Sequence, residues 1–138
     1  MFIFRSMVEE GHFVRLAYIN FARNVNMNEI TLNFACLSYN TYYRIMRGRY
    51  IISAKGRAFR QLVKDSIINQ PLVQGRIKLE IEFHFRDRRI RDLDNHTKAL
   101  IDALKGILFV DDSDIFVLNT SKHIGVVSKT IIRISALN

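Results

Sequence analysis

Asp92, Asp94 and Asp112 are the residues of this chain whose type and spacing could do chemistry. They lie in RDLDNHTKALIDALKGILFVDDSD, residues 91–114, which holds six aspartates inside a chain that is basic overall. One aspartate at a helix start is an ordinary cap. A second close by adds like-charge repulsion unless a cation offsets it. If the three carboxylates converge, they offer an all-oxygen ligand set suited to Mg²⁺ or Mn²⁺. DDSD lacks the glycine and distal glutamate of a calcium loop. His12, His84, His96 and His123 show no ligand spacing with Cys36, so zinc is not expected, and they read as surface or strand residues. Lys98 stands four residues after Asp94, on the same helix face. It could stabilise charge at a phosphorus or orient an attacking water. Its plainer role is a surface ion pair with Asp94 or Asp102, worth little.

The elements that must position these residues are legible. Leu93, Thr97, Leu100, Ile101 and Leu104 form an apolar stripe at helical spacing. A helix is therefore predicted from Asp92–Asp94 to Lys105, stopped by Gly106. Its start carries partial positive charge, which favours carboxylates there. A helix of that length carries the chain about 20 Å away. Asp112 can rejoin the first two aspartates only if ILFV (107–110) or the following strand runs back along the helix.

RIKLEIEFHF (76–85) alternates strictly and is the clearest predicted strand. Further strands are predicted at 29–35, 114–123 and 129–137. A helix over 54–69 starts on Ser53 and carries Ala58, Leu62, Val63 and Ile67 at helical spacing. SYNTYYRIMRGRYIIS (38–53) reads as a basic hairpin or loop. The order β-α-β-α-β-β predicts an α+β-like fold: a small mixed sheet covered by about two main helices. Residues 1–26, with a short helix at 12–22, are expected to be an accessory extension or the product of an upstream start. Residues 27–138 are the expected functional domain.

The chain has 138 residues, a net charge of +8 and a pI near 10. A basic domain of this size points to a polyanion, nucleic acid above all. Arg44, Arg47, Arg49, Lys55, Arg57, Arg60 and Lys64 run without an acid, and Tyr39, Tyr42, Tyr43 and Tyr50 interleave with the start of that run. Arginines contact phosphates, and tyrosines stack on unpaired bases. RDRRIR (86–91), with Arg88, Arg89 and Arg91, sets a second basic cluster beside the aspartates. No helix-turn-helix, zinc-finger or RNP-type pattern is present, so backbone and shape recognition is expected. Cys36 is the only cysteine and sits in an apolar run, which suits core filling and a reducing compartment. No segment approaches the roughly 20 apolar residues of a membrane span, and the N-terminus makes a poor signal peptide. A cytoplasmic protein is expected.

DRRIRDLDNHTKALIDAL (87–104), then a hydrophobic stretch and DDSDI (111–115), resembles the RusA family of Holliday junction resolvases. SYNTYYRIMRGRYIISAKGRAFR (38–60) is similar to the family's N-terminal region, and the resemblance covers about residues 29–137. It implies a small Mg²⁺-dependent endodeoxyribonuclease, with Mn²⁺ able to substitute, of a kind common in phages and prophages. It implies a homodimer that binds four-way DNA junctions and nicks two strands symmetrically in a bacterial or phage-infected cell. Asp92, Asp94 and Asp112 would then be the metal-binding catalytic carboxylates and Lys98 the essential lysine. Asp111 is adjacent, and Asn95 could orient an aspartate or water. Arg91, Arg88, Arg89 and the arm residues Arg44, Arg47, Arg49, Lys55 and Arg57 would hold the DNA backbone. Two rivals remain: a non-catalytic protein that binds branched DNA, and a nuclease for flaps or forks.

Overall fold

The computed structural model describes residues 27–137. The expected extension and its helix at 12–22 lie outside the described residues. From Met27 the order is β1 (Met27–Leu32), α1 (Tyr39–Tyr42), β2 (Tyr43–Met46), β3 (Arg49–Ile52), α2 (Ala54–Ser66), β4 (Ile77–Phe85) and α3 (Leu93–Leu104). A 3-10 turn at Asp112–Asp114 leads into β5 (Ile115–Ile124), followed by β6 (Lys129–Ala136). This is the mixed α+β class that the sequence predicts. Among the described residues, no helix is long and apolar enough to cross a membrane.

Four strands form one mixed sheet in the order β1-β6-β4-β5. β4 pairs antiparallel with β6 and parallel with β5, so α3 is the crossover that a parallel pair requires. Along β4, Ile77, Leu79, Ile81, Phe83 and Phe85 are all buried, whereas Lys78, Glu80, Glu82 and His84 are partly exposed on the other face. The alternation follows from the period of two in a pleated strand.

The stripe on α3 packs onto the buried face, with Leu100 and Leu104 fully buried. Each contributes about 1.5–3 kcal/mol by burial. An exposed ion pair contributes under about 1 kcal/mol. Apolar burial therefore holds α3 in place, and its polar face is left for other work. His96 corrects the reading of the histidines as surface or strand residues. It is a buried helix residue, edge-on to the rings of Phe83 and Phe85. Burial lowers its pKa.

α2 begins at Ser53 as expected, with the Gly56 N–H donating to Ser53 Oγ at 2.9 Å. Its inward face matches the predicted one at Val63 and Ile67 but not at Ala58 and Leu62. Gly56, Phe59 and Val63 are buried, with Ile67 just beyond the helix, while Ala58 and Leu62 face outward. Gly56 sets this rotation, because a Cβ there would collide with the Tyr42 carbonyl oxygen. The basic stretch 38–53 resolves into α1 and the β2–β3 hairpin. Arg47 and Gly48 form its two-residue turn, both at positive φ (53° and 76°), which matches the twist of the paired strands.

Candidate active site

Asp92 occupies the N-cap position of α3, yet its side chain makes no capping hydrogen bond. Its Oδ2 instead accepts from Asn95 Nδ2 at 3.3 Å. Asp94, one residue into the first turn, accepts from the Asn95 backbone N–H at 2.9 Å. Both aspartates are exposed, and the Asp92 carboxylate, at the N-cap position, is not spent on capping the helix.

Lys98 is one turn further along. Its Nζ lies 2.9 Å from Asp102 Oδ1 and 3.6 Å from Asp112 Oδ2. The hydrogen bond that it donates to Asp102 raises its pKa, with the charges of Asp102 and Asp112 adding to the effect. Lys98 is therefore a firmly protonated cation between carboxylates. Asp102 also accepts from the Tyr43 hydroxyl at 2.8 Å, and that bond, after burial, pushes the Tyr43 pKa upward. A chain of contacts thus runs from the first residue of the hairpin to Asp112. The i, i+4 spacing of Lys98 and Asp102 is readable in the sequence. The Tyr43 link is not, since it spans 59 residues.

Arg91, Asp92, Asp94, Thr97 and Lys98 line an open cleft of about 690 Å³, whose far wall is Leu118 and Thr120 of β5. A neighbouring recess shares Lys98, Ile101 and Leu118 with it and contains Asp112. The strand after the aspartates does run back along α3, as Thr97 Oγ1 and Thr120 Oγ1 meet at 3.0 Å. Asp112, however, precedes that strand. It therefore sits toward the C-terminal end of α3, where its neighbour Asp111 accepts from Lys105 Nζ at 2.9 Å. ILFV does not make the return, because Leu108 and Phe109 are buried in the core. The structure thus places Asp92 and Asp94 at one end of the grooved surface and Asp112 along it, with Lys98 between. The three do not form a ligand triad with all atoms within 4.8 Å; among the described residues, Glu82, His84 and His123 alone do so.

The carboxylates still suit a hard divalent cation in kind. Asp92 and Asp94 are exposed, each with one oxygen in a hydrogen bond to Asn95, and Asp112 faces Lys98 at 3.6 Å. The donor set is all oxygen, as Mg²⁺ and Mn²⁺ require. Closing it requires Lys98 to leave Asp112.

The basic residues divide. Arg44, Arg47 and Arg49 are exposed on the hairpin, as are Lys55 and Arg57 on the first turn of α2. Arg57 also donates to the Ile52 carbonyl at 3.0 Å. Tyr39, Tyr43, Arg44 and Tyr50 line a separate shallow slot of about 280 Å³. Arg60 has a structural task that the sequence does not signal: its guanidinium donates to the carbonyls of Asp102, Ala103 and Lys105, satisfying the end of α3. Arg88 and Arg89 are exposed in the loop that precedes Arg91. Arg91 is largely occupied, with bonds of 2.7 and 3.1 Å to Asp87 and its guanidinium 4.2 Å from the Phe85 ring centroid. Cys36 is the core residue expected of it. It is hydrogen-bonded to Thr130, and burial pushes its thiol up to about 12.

Glu82, His84 and His123 form a cluster without cysteine, which histidine–cysteine spacing along the sequence does not reveal. They come together only because β4 and β5 pair in parallel, with His84 opposite His123.

The chain belongs to the RusA family of endodeoxyribonucleases: residues 36–135 match the family's profile, described as Endodeoxyribonuclease RusA. Three relatives bear the name crossover junction endodeoxyribonuclease RusA. That of Enterobacteria phage 82 is 45% identical over 83 residues, that of Shigella sonnei (strain Ss046) 48%, and that of Escherichia coli (strain K12) 46%. Each match covers 56% of this chain and 68% of the relative. A solved structure titled "Hypothetical protein TM841 from Thermotoga maritima reveals fatty acid binding function" aligns at 13% identity, covering 98% of this chain and 52% of that one, with a TM-score of 0.28, too low to indicate a shared fold.

Proposed function

We propose that this chain resolves four-way DNA junctions by hydrolysing a phosphodiester in each of two strands, as a homodimer dependent on Mg²⁺ or Mn²⁺. The observation that carries the reading is the pair Asp92 and Asp94. They line one cleft with two exposed carboxylates in a strongly basic chain, and Asp92 stands at the N-cap position without making the capping bond. Membership of the RusA family and the relatives' names support the junction as substrate.

In this reading Asp92, Asp94 and Asp112 hold the cation. A cation held there would supply Lewis acidity at the phosphoryl oxygen and make the attacking water more acidic. Asn95 holds the Asp92 carboxylate in position. Lys98 leaves Asp112, keeps its bond to Asp102, and turns its ammonium toward the phosphoryl oxygens, where charge develops in the transition state. Water adds at phosphorus, one P–O bond breaks, and the products are a phosphate monoester and a free hydroxyl. Exposed Arg44, Arg47, Arg49, Arg88 and Arg89 grip the backbone, and Tyr39 and Tyr50 stack against bases unpaired at the crossover. A two-fold axis gives two equivalent sites for paired nicks. This chemistry places the protein with the DNA, in the cytoplasm of a bacterial or phage-infected cell. Residues 27–138 are the proposed endonuclease domain and residues 1–26 an accessory segment.

The test is a panel of labelled substrates with the same arm sequences: four-way junction, flap, fork and linear duplex, each with Mg²⁺, Mn²⁺ or EDTA. The expected result is symmetric paired nicking of the four-way junction with either metal and none with EDTA. Junction binding without nicking in either metal would leave a non-catalytic DNA-binding protein. Faster cutting of flaps or forks would move the substrate to those structures.

A further inference from the structure

On the sheet face turned away from the helices, Glu82 and His84 stand two residues apart on β4, and His123 lies directly across on β5. One ligand atom from each comes within 4.8 Å of the other two. The two imidazoles are nearly parallel, with centroids 4.7 Å apart and an interplanar angle of 16°. The rings are stacked, and the convergence of one ligand atom from each residue is what marks the cluster. We propose that these three side chains bind one divalent transition-metal ion of the Zn²⁺ kind, at a site separate from the aspartate cleft.

Donor type sets the metal class. Two imidazoles and one carboxylate favour zinc and its neighbours over Mg²⁺, which prefers oxygen ligands alone. Tetrahedral binding at zinc–ligand lengths needs ligand atoms about 3.4 Å apart, a contraction that small side-chain rotations supply. The ligands are already oriented. Arg133 Nη1 holds Glu82 Oε2 at 2.6 Å, which leaves Oε1, now 3.2 Å from His84 Nε2, as the oxygen turned to the imidazoles. Ser121 Oγ is bonded to His123 Nε2 at 2.9 Å. Such partners fix ring and carboxylate orientation in metal sites. If His84 binds through Nε2, the neutral ring carries its proton on Nδ1, and the ion takes the place of the hydrogen bond between Nε2 and Glu82 Oε1. The fourth position faces solvent and takes water.

The site ties β5, an edge strand, to the central β4. β5 also carries Leu118 and Thr120, the far wall of the cleft. A bound ion would thus hold that wall in register from the opposite face.

The experiment is calorimetric titration of the metal-free full chain with ZnCl₂, and separately with MgCl₂, alongside thermal melting. One Zn²⁺ per chain at micromolar or tighter affinity, with a raised melting temperature, is expected. His123→Gln, an exposed position, and His84→Gln are each expected to weaken Zn²⁺ binding at least tenfold, whereas Asp94→Asn leaves it unchanged. Co²⁺ loaded on the wild type should show the visible absorption of a four-coordinate site, lost in His123→Gln. Three results would each overturn the proposal: no stoichiometric Zn²⁺ binding, undiminished binding in a folded His123→Gln protein, or loss of binding in Asp94→Asn. Mg²⁺ displacing Zn²⁺ with equal affinity would overturn it as well.

Discussion

Asp92 and Ser53 hold the same position at the starts of two helices, and they behave differently. Ser53 accepts from the Gly56 N–H, while the Asp92 carboxylate makes no such bond. Ser53→Ala should therefore cost about 1 kcal/mol of stability, whereas Asp92→Asn should leave the denaturation midpoint within about 0.5 kcal/mol of wild type. Chemical denaturation of both variants measures the contrast. A second residue-level expectation concerns Asp87. The bidentate bond from Arg91, with the Arg89 backbone N–H, pulls its pKa down to about 2 from 3.8. A depressed carboxylate contributes stability above its unfolded pKa and loses it as pH falls through the folded value. The melting-temperature gap between wild type and Asp87→Asn should be full above about pH 4 and close as pH falls towards 2. A gap that widens with acidification would mean that Asp87 is not held by Arg91.

At the scale of elements, α2 shows how local signals can mislead. Its cap is readable from Ser53, but its inward face only in part. Val63 and Ile67 are buried as their spacing predicts, but Ala58 and Leu62 satisfy the helical period as well as Phe59 does. The choice is made by Gly56, which lets the Tyr42 carbonyl approach the helix backbone, a contact between elements that periodicity does not encode. Gly56→Ala should thus destabilise the protein by about 1–3 kcal/mol through overpacking, although alanine is the better helix former by about 1 kcal/mol. A thermal melt of the variant reads the sign. β4 and α3 were legible because burial on one face leaves a strict pattern along each. The site was legible in part. Asp92, Asp94 and Lys98 share one helix and its spacing, and the resemblance to RusA singled out Asp112. The place of Asp112 depends on how β5 enters the sheet, and the meeting of His84 with His123 depends on strand pairing. Neither relation lies along the chain.

For the whole molecule, the +8 charge is distributed with a purpose. Some cations are structural: Arg60 ends α3, Arg91 braces the loop through Asp87, and Arg133 joins Glu29 to Glu82. Among the described residues, the arginines of the hairpin and of the 88–89 loop carry no such ties beyond a long Arg89–Asp87 contact of 4.0 Å. They are the cations available to phosphate. Replacing Arg44, Arg47 and Arg49 together with alanine should weaken junction binding and flatten its dependence on salt. The slope should fall by up to about 0.9 for each phosphate that the variant no longer neutralises. Binding isotherms across a salt series measure both, and an unchanged slope would remove the hairpin from the DNA interface.

The central claim is that Asp112 works with Asp92 and Asp94, although it stands apart from them beside Lys98. Single-turnover cleavage and equilibrium binding of a four-way junction by Asp112→Asn test it most directly, with Asp114→Asn as a neighbouring control. The account predicts a loss of at least about 100-fold in cleavage rate, with junction affinity unchanged and the control active. Wild-type cleavage by Asp112→Asn would contradict it and confine the catalytic carboxylates to the start of α3.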